Sequence, residues 1–330
     1  MENKTKDILA LFVSNVQIIR KEFNMHNIMT KRLAALLYAQ KNKAIDCEAI
    51  KQSYKIIKQN TGIFSSFRGN MALCVAALLS LSPDPQELFH KTLQVFDILK
   101  FQKMRASDYL AVAAFEIASQ TDPVNYQNAV NRTRDFYDGM KSKNYFVTGQ
   151  DDYIFAAMLG LSDLDIISGT ERIAEIVKRL KNEFWSKNSV QNLSQVLALG
   201  NSCDETVSRV LSLRDALRAQ QIKLDKEYSL PSLGVLALLP VATDVIVRDI
   251  EEAQQILRSQ KGFGRWSISK QELLIYAAAV TALEYAGNAN SDVVTAIVST
   301  SLTNIIIAQQ IAIIVAASVS ASSTATASSS

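Results

Sequence analysis

The feature that most constrains this chain is an apolar, small-residue segment that returns at a nearly fixed interval. It reads LAALLYA from Leu33, CVAALLSLS from Cys74, LAVAAFEIAS from Leu110 and IFAAMLGLS from Ile154. It comes back as LSQVLALGN from Leu193, LGVLALLPV from Leu233 and IYAAAVTALEY from Ile275. Ala34, Ala76, Ala113, Ala156, Ser194, Leu233 and Ala277 are equivalent positions, about 37 to about 44 residues apart. That is the period of helical repeats, in which one unit cannot bury its apolar face alone and must stack on its neighbours.

A second register runs at the same period. An amphipathic segment follows each apolar one and ends in a basic residue: Lys100, Lys141, Lys181, Arg218 and Arg258. A cation there complements the partial negative charge of a helix C-terminus. Each such segment is entered through an acidic or Pro-containing turn, as at Pro83-Asp84-Pro85, Asp122-Pro123, Asp163 to Asp165, Asp204 and Asp244. Asp caps free N–H groups of a first turn, and Pro tolerates the first helical position. Each repeat is therefore an apolar inner helix, a tight turn, an amphipathic outer helix and a longer loop.

The inner segments carry almost no charge on any face, Glu116 being an exception. A helix apolar all round must be covered on all sides. The expected fold is all-α: tandem helical-hairpin repeats of about 40 residues in a curled two-layer α/α array, toroid-like or a tight solenoid. Residues 1–290 form that repeat domain and 291–330 a tail packed on it or emerging from it. The tail has no charge from Val293 to Ser330, and is rich in Ile, Val and Ala up to Ser320. Its length matches a membrane helix, but Asn304, Gln309 and Gln310 interrupt it and no basic cluster flanks it. Packing inside the array is the main expectation. Membrane association or self-assembly through Val293 to Ser320 is the alternative.

The net charge is +3 from 35 basic and 32 acidic residues, which argues against a dedicated nucleic-acid binder. Cys47, Cys74 and Cys203 are odd in number and far apart, as expected of reduced thiols. The first residues hold no long apolar stretch of a secretory signal, so a cytoplasmic location is expected. There is no GxxxxGK[ST], GxSxG, CxxC or HExxH, and the GFG at Gly262 opens no strand–turn–helix unit. No cofactor and no metal is expected.

In such an array the longer loops share one edge, and function concentrates on loops carried by a rigid scaffold. Two roles suit their polar and aromatic residues. Capping and stapling of the inner helices is one. The other is a rim around a central pocket, built from Arg68, Asn70, Asp108, Tyr109, Asp151, Asp152, Tyr153, Gln191, Asn192, Arg265 and Trp266. Within it Asp108, Asp151 and Asp152 are the candidates for acid/base catalysis, and the other residues are ligand-binding candidates.

The segments NTGIFSSFRGN, SDYLAVAAFEIA, DDYIFAAMLGLSDLD, FWSKNSVQNLSQVLALG and QKGFGRWS, with the STSLTNIIIAQQ tail, are similar to a bacterial domain-of-unknown-function family. That family is all-helical and found mainly in Gram-positive bacteria. The resemblance spans essentially the whole chain and implies a bacterial cytoplasmic protein whose tail belongs to the family, without an activity, catalytic residues or a cofactor. The alternating helices also resemble toroidal isoprenoid enzymes, whose metal-ligand patterns this sequence lacks; the likeness is one of fold alone. The expected function is a non-catalytic scaffold for a protein, peptide or apolar ligand. The alternatives are a toroid-type hydrolase or transferase with an Asp-lined pocket, and a membrane-associated or self-assembling protein acting through its tail.

Overall fold

The structure, a computed structural model, describes residues 3–200, 202–286 and 302–313. Every regular element among them is helical. The chain runs α1 (Asn3–Glu22), α2 (Ile28–Gln40), α3 (Cys47–Asn60), α4 (Ala72–Ser80) and α5 (Pro85–Phe101). It continues through α6 (Asp108–Gln120), α7 (Tyr126–Lys143), α8 (Tyr153–Leu161), α9 (Ile166–Leu180) and α10 (Lys187–Leu197). Then come α11 (Cys203–Ala219), α12 (Leu230–Leu238), α13 (Thr243–Ser259), α14 (Lys270–Ala286) and, last among the described residues, α15 over 302–313.

Side-chain caps mark where α3, α5, α9 and α11 begin, whereas α7 and α13 start without one, so Asp122 and Asp244 do not cap as expected. Asp46, Asp84 and Asp165 each accept a hydrogen bond from the backbone N–H three residues on, at 2.9 Å. Ser202 does the same for α11. These bonds satisfy donors that a helix start leaves without partners. The even-numbered helices α4, α8 and α12 are short and buried along nearly their whole length. The odd-numbered helices bury one stripe, as Ile173, Ile176 and Leu180 do in α9. The two registers of the sequence are thus an inner and an outer layer.

The odd-numbered helices touch one another in succession from α1 to α13, and α13 touches α1 again. Among the even-numbered helices α2 packs on α4, α6 on α8, α8 on α10, α10 on α12 and α12 on α14. The two ends meet through a buried ion pair: Arg32 of α2 and Glu272 of α14 are 3.1 Å apart. Arg32 also donates to the carbonyl of Gly262 and lies over the Phe263 ring. Phe263 in turn packs edge-on to Phe12 of α1. The GFG segment is therefore the seat on which the first hairpin meets the last.

A repeated clamp ties the layers together. The seventh residue of α7, α9 and α11 is Arg132, Arg172 and Arg209. Each guanidinium donates to carbonyls where the next inner helix ends: Gly160, Ser162 and Leu164; Ala198 and Gly200; Ala237, Leu239 and Val241. These carbonyls have no partner within their own helix, and a charged donor is the strongest they can find.

From the uncharged tail, residues 302–313 form α15, while Val293 to Ser301 and 314–330 lie outside the described residues. Residues 304 to 311 are all buried, so α15 is covered on every side. It is anchored at several inner helices. Thr303 donates to Gln40 at the end of α2, and Asn304 bonds Glu116 of α6. Gln309 donates to the Tyr228 carbonyl at 2.8 Å and bonds the Ser232 hydroxyl. α15 thus runs among the inner helices from their C-terminal ends to their N-terminal ends. Among the described residues no helix is long and apolar enough to cross a membrane.

Candidate functional site

The outer-to-inner loops meet one another along a single edge. Asp108 lies against Gly69, the Arg105 N–H donates to the Tyr153 hydroxyl, and Asn188 donates to Asp151 at 2.6 Å. Further along, Arg214 pairs with Glu183, and Lys270 donates to the Gln221 carbonyl. Short 3-10 turns, Ser66–Arg68, Gln150–Asp152 and Glu227–Ser229, lead into α4, α8 and α12.

The inner part of this edge is acidic and largely buried. Asp152 is fully buried. One carboxylate oxygen accepts from the Gly149 N–H at 2.8 Å, and the other from the amides of Gln191 at 2.9 Å and Gln195 at 2.5 Å. Burial, reinforced by the charge of Asp151, pushes its carboxyl up to about 7 against the pull of those donors. Burial alone pushes Asp108 up to about 6. Tyr109 is held up by burial first and then by Asp151, Asp108, Tyr228 and Asp152, so its phenol stays neutral and keeps its proton.

Of the eleven residues expected on the rim, Asp108, Tyr109, Asp151, Asp152, Tyr153, Gln191 and Asn192 share this neighbourhood. The other four do not join it. Arg68 is spent on structure: its guanidinium donates to Thr61 Oγ1 at 3.1 Å and to the carbonyls of Lys58 and Thr61, closing the end of α3. Asn70, Arg265 and Trp266 point into water. Sequence reading missed Asn188, Gln195, Tyr228 and Gln309. Gln195 was within reach, since it stands four residues after Gln191 on the same helix face.

The end of α15 closes the acidic neighbourhood. Asp151, Asn188, Asn192 and Tyr228 border Ala308, Gln309 and Ala312 around a cavity of about 40 Å³. That is room for a few water molecules. Among the described residues no three His, Cys, Asp or Glu side chains are grouped as metal ligands.

The outer part of the edge is different. Met25, Phe64, Phe146, Trp185 and Trp266 are each at least 96% exposed, and Phe101 is 86% exposed. They come from five of the seven outer-to-inner loops and, in Phe101, from the last residue of α5 at the head of a sixth. Ile63 and Tyr145 add to them. On the opposite edge Val124 and Ile167 are the large apolar side chains so exposed among the described residues. Isolated exposed apolar side chains are ordinary; six gathered on one edge are not.

Fold and site together define an all-α protein of paired helices with an apolar-tipped loop edge and its own C-terminal helix packed among the inner ones. The chain belongs to the protein family of unknown function DUF4003, whose sequence model matches residues 15–312 and so takes in nearly all of α15. It is 20% identical over 271 residues to the uncharacterized protein YeaA of Bacillus subtilis (strain 168), covering 79% of this chain and 81% of that one. No solved structure matches it.

Proposed function

We propose that this chain is a closed α/α toroid whose axis is filled by α15, and that it is a non-catalytic scaffold docking onto a partner surface with its long-loop edge. The unbroken cycle of outer-helix contacts and the Arg32–Glu272 pair support the closed ring. The observation that carries the docking role is the crown of fully solvated Phe64, Phe146, Trp185 and Trp266 on one edge. A side chain that large gains nothing from folding while it stays in water, and about 1.5–3 kcal/mol when a partner covers it.

In-cell hydroxyl-radical footprinting tests the role. Trp185, Trp266 and Phe146 are expected to be oxidised readily in the purified protein and protected in cells, whereas Ile167 and Val124 react alike in both. Equal oxidation of the crown in the two settings would exclude docking.

A second reading places chemistry at the acidic neighbourhood, because Asp108 and Asp152 carry raised pKa values around Tyr109. A cavity of about 40 Å³ admits no substrate while α15 is seated. This reading therefore requires a ligand that displaces α15, seen as faster amide exchange over 302–313 on binding.

A further inference from the structure

The electrostatics of the ring edge and the spacing of its crown say what kind of surface it fits. The crown residues are distributed one or two to a loop along the edge, with polar residues between them, and form no compact patch. A protein hot spot concentrates its anchors near one centre. Anchors strung along an edge suit a broad, flat, deformable surface that all can enter to the same depth. Phe, Trp and Tyr with Lys and Arg beside them are the side chains that settle at a membrane–water interface.

Charge is sorted between the two edges as well. The crown loops and the helix ends beside them bring Lys58, Lys100, Lys143, Lys181, Lys187 and Lys261, in excess over Glu183, Asp225 and Glu227 on the same loops, of which Glu183 and Asp225 are paired with Arg214 and Arg218. The opposite edge brings the helix-start acids Asp46, Asp84, Asp122, Asp165, Asp204 and Asp244, against Lys41 and Lys43 on the same edge and Arg179 paired with Asp204. A net charge of +3 conceals this separation. An anionic plane would orient the ring with its crown edge inward and repel the other edge. The last described turn of α15 reaches the same edge, where Ala312 lies beside Asn188 and Tyr228.

The geometry points to an anionic lipid bilayer as the occupant of the crown edge: the ring lies flat on the membrane, with Phe64, Phe146, Trp185 and Trp266 at headgroup depth and the lysines among the lipid phosphates. This rests on the docking role proposed above and adds the partner.

Trp185 and Trp266 are the two tryptophans of the chain, so all of its tryptophan emission reports on the crown. The full chain is titrated with unilamellar vesicles of phosphatidylglycerol and phosphatidylcholine, and separately of phosphatidylcholine alone, and bound protein is measured by flotation. The expected result is a blue shift and co-flotation with the anionic vesicles, reversed by salt. Phe64→Ser with Phe146→Ser keeps both reporters and removes side chains that contribute nothing to the core. It is expected to melt like the parent and to lose about tenfold in partitioning per aromatic removed. Val124→Ser with Ile167→Ser is expected to bind as the parent does. The inference falls if the anionic vesicles give neither shift nor flotation, if neutral vesicles bind equally well, or if the opposite-edge variant loses as much as the crown variant. It also falls if a blue shift grows with protein concentration without lipid, which would make the occupant a second copy. Crown protection in cells without vesicle binding would leave the docking role standing and remove the membrane.

Discussion

Arg32 and Glu272 stand 240 positions apart in sequence and 3.1 Å apart in space, with 1% and 2% of their side chains exposed. Burial pushes the Glu272 carboxyl up, and Arg32 opposes that shift. The pair joins α2 to α14 and is, among the described residues, the one ion pair at that junction with both partners wholly buried.

Arg32→Met is expected to cost about 3–5 kcal/mol, because it leaves Glu272 buried without its counter-charge. Arg32→Met with Glu272→Met restores charge balance and is expected to recover most of that loss. Urea unfolding of the parent, both single variants and the double variant checks this; additive losses in the double variant would show that the two residues act separately.

Stability is expected to fall as pH rises from about 4 to about 7. Asp152 and Asp108 have folded-state pKa values of about 7 and about 6, above the ordinary 3.8. A raised carboxyl holds its proton longer in the native state than in the unfolded one. Its contribution is complete below the unfolded value and is lost as pH passes the folded value. Buried Glu116, raised by desolvation, adds in the same direction. In Asp108→Asn the decline between pH 4 and 6 is expected to be shallower, while the part near pH 7 remains. Urea midpoints across this range measure it.

Gly160→Ala is expected to destabilise by about 1–3 kcal/mol. Its Cβ would lie 2.8 Å from the Thr133 backbone nitrogen, so α8 and α7 would have to part. Gly264→Ala meets nothing within 4 Å and is expected to be neutral. Thermal melts of the two variants compare a close helix approach with a free position.

A chain ending at residue 290 is expected to aggregate and to melt early. Ile305, Ile306, Ile307 and Ile311 are each about 1% exposed or less. Their removal uncovers the apolar faces they pack on, and each buried Ile is worth about 1.5–3 kcal/mol. Size-exclusion chromatography with light scattering decides; a clean monomer as stable as the parent would mean that the other helices hold together without α15.

The alternation of wholly buried and one-sided helices, the basic helix ends and the caps Asp84 and Asp165 were legible because each is a local matter; Ser202 caps α11 in place of Asp204, and Asp122 and Asp244 make no capping bond. A period near 40, an Asp three residues before a free N–H, and a Lys in a last turn depend on neighbours a few positions away. The acidic neighbourhood was half legible. Asp108, Asp151 and Asp152 stood out as residue types at inner-helix starts, but Arg68 did too, and it serves the end of α3 instead. Sequence position places a side chain at an edge without saying which partner takes it.

The sequence by itself therefore determined the helices, their two layers and the edge on which the long loops gather, since hydrophobic periodicity reports which face of each helix must leave water. It did not determine which distant helix supplies the cover. That Arg32 finds Glu272, that Phe263 seats the first hairpin and that residues 302–313 pack among the inner helices were decided by tertiary structure. These contacts join segments far apart in the chain, and a buried charge or an all-apolar helix fits only where the packed array leaves a partner of matching shape and sign.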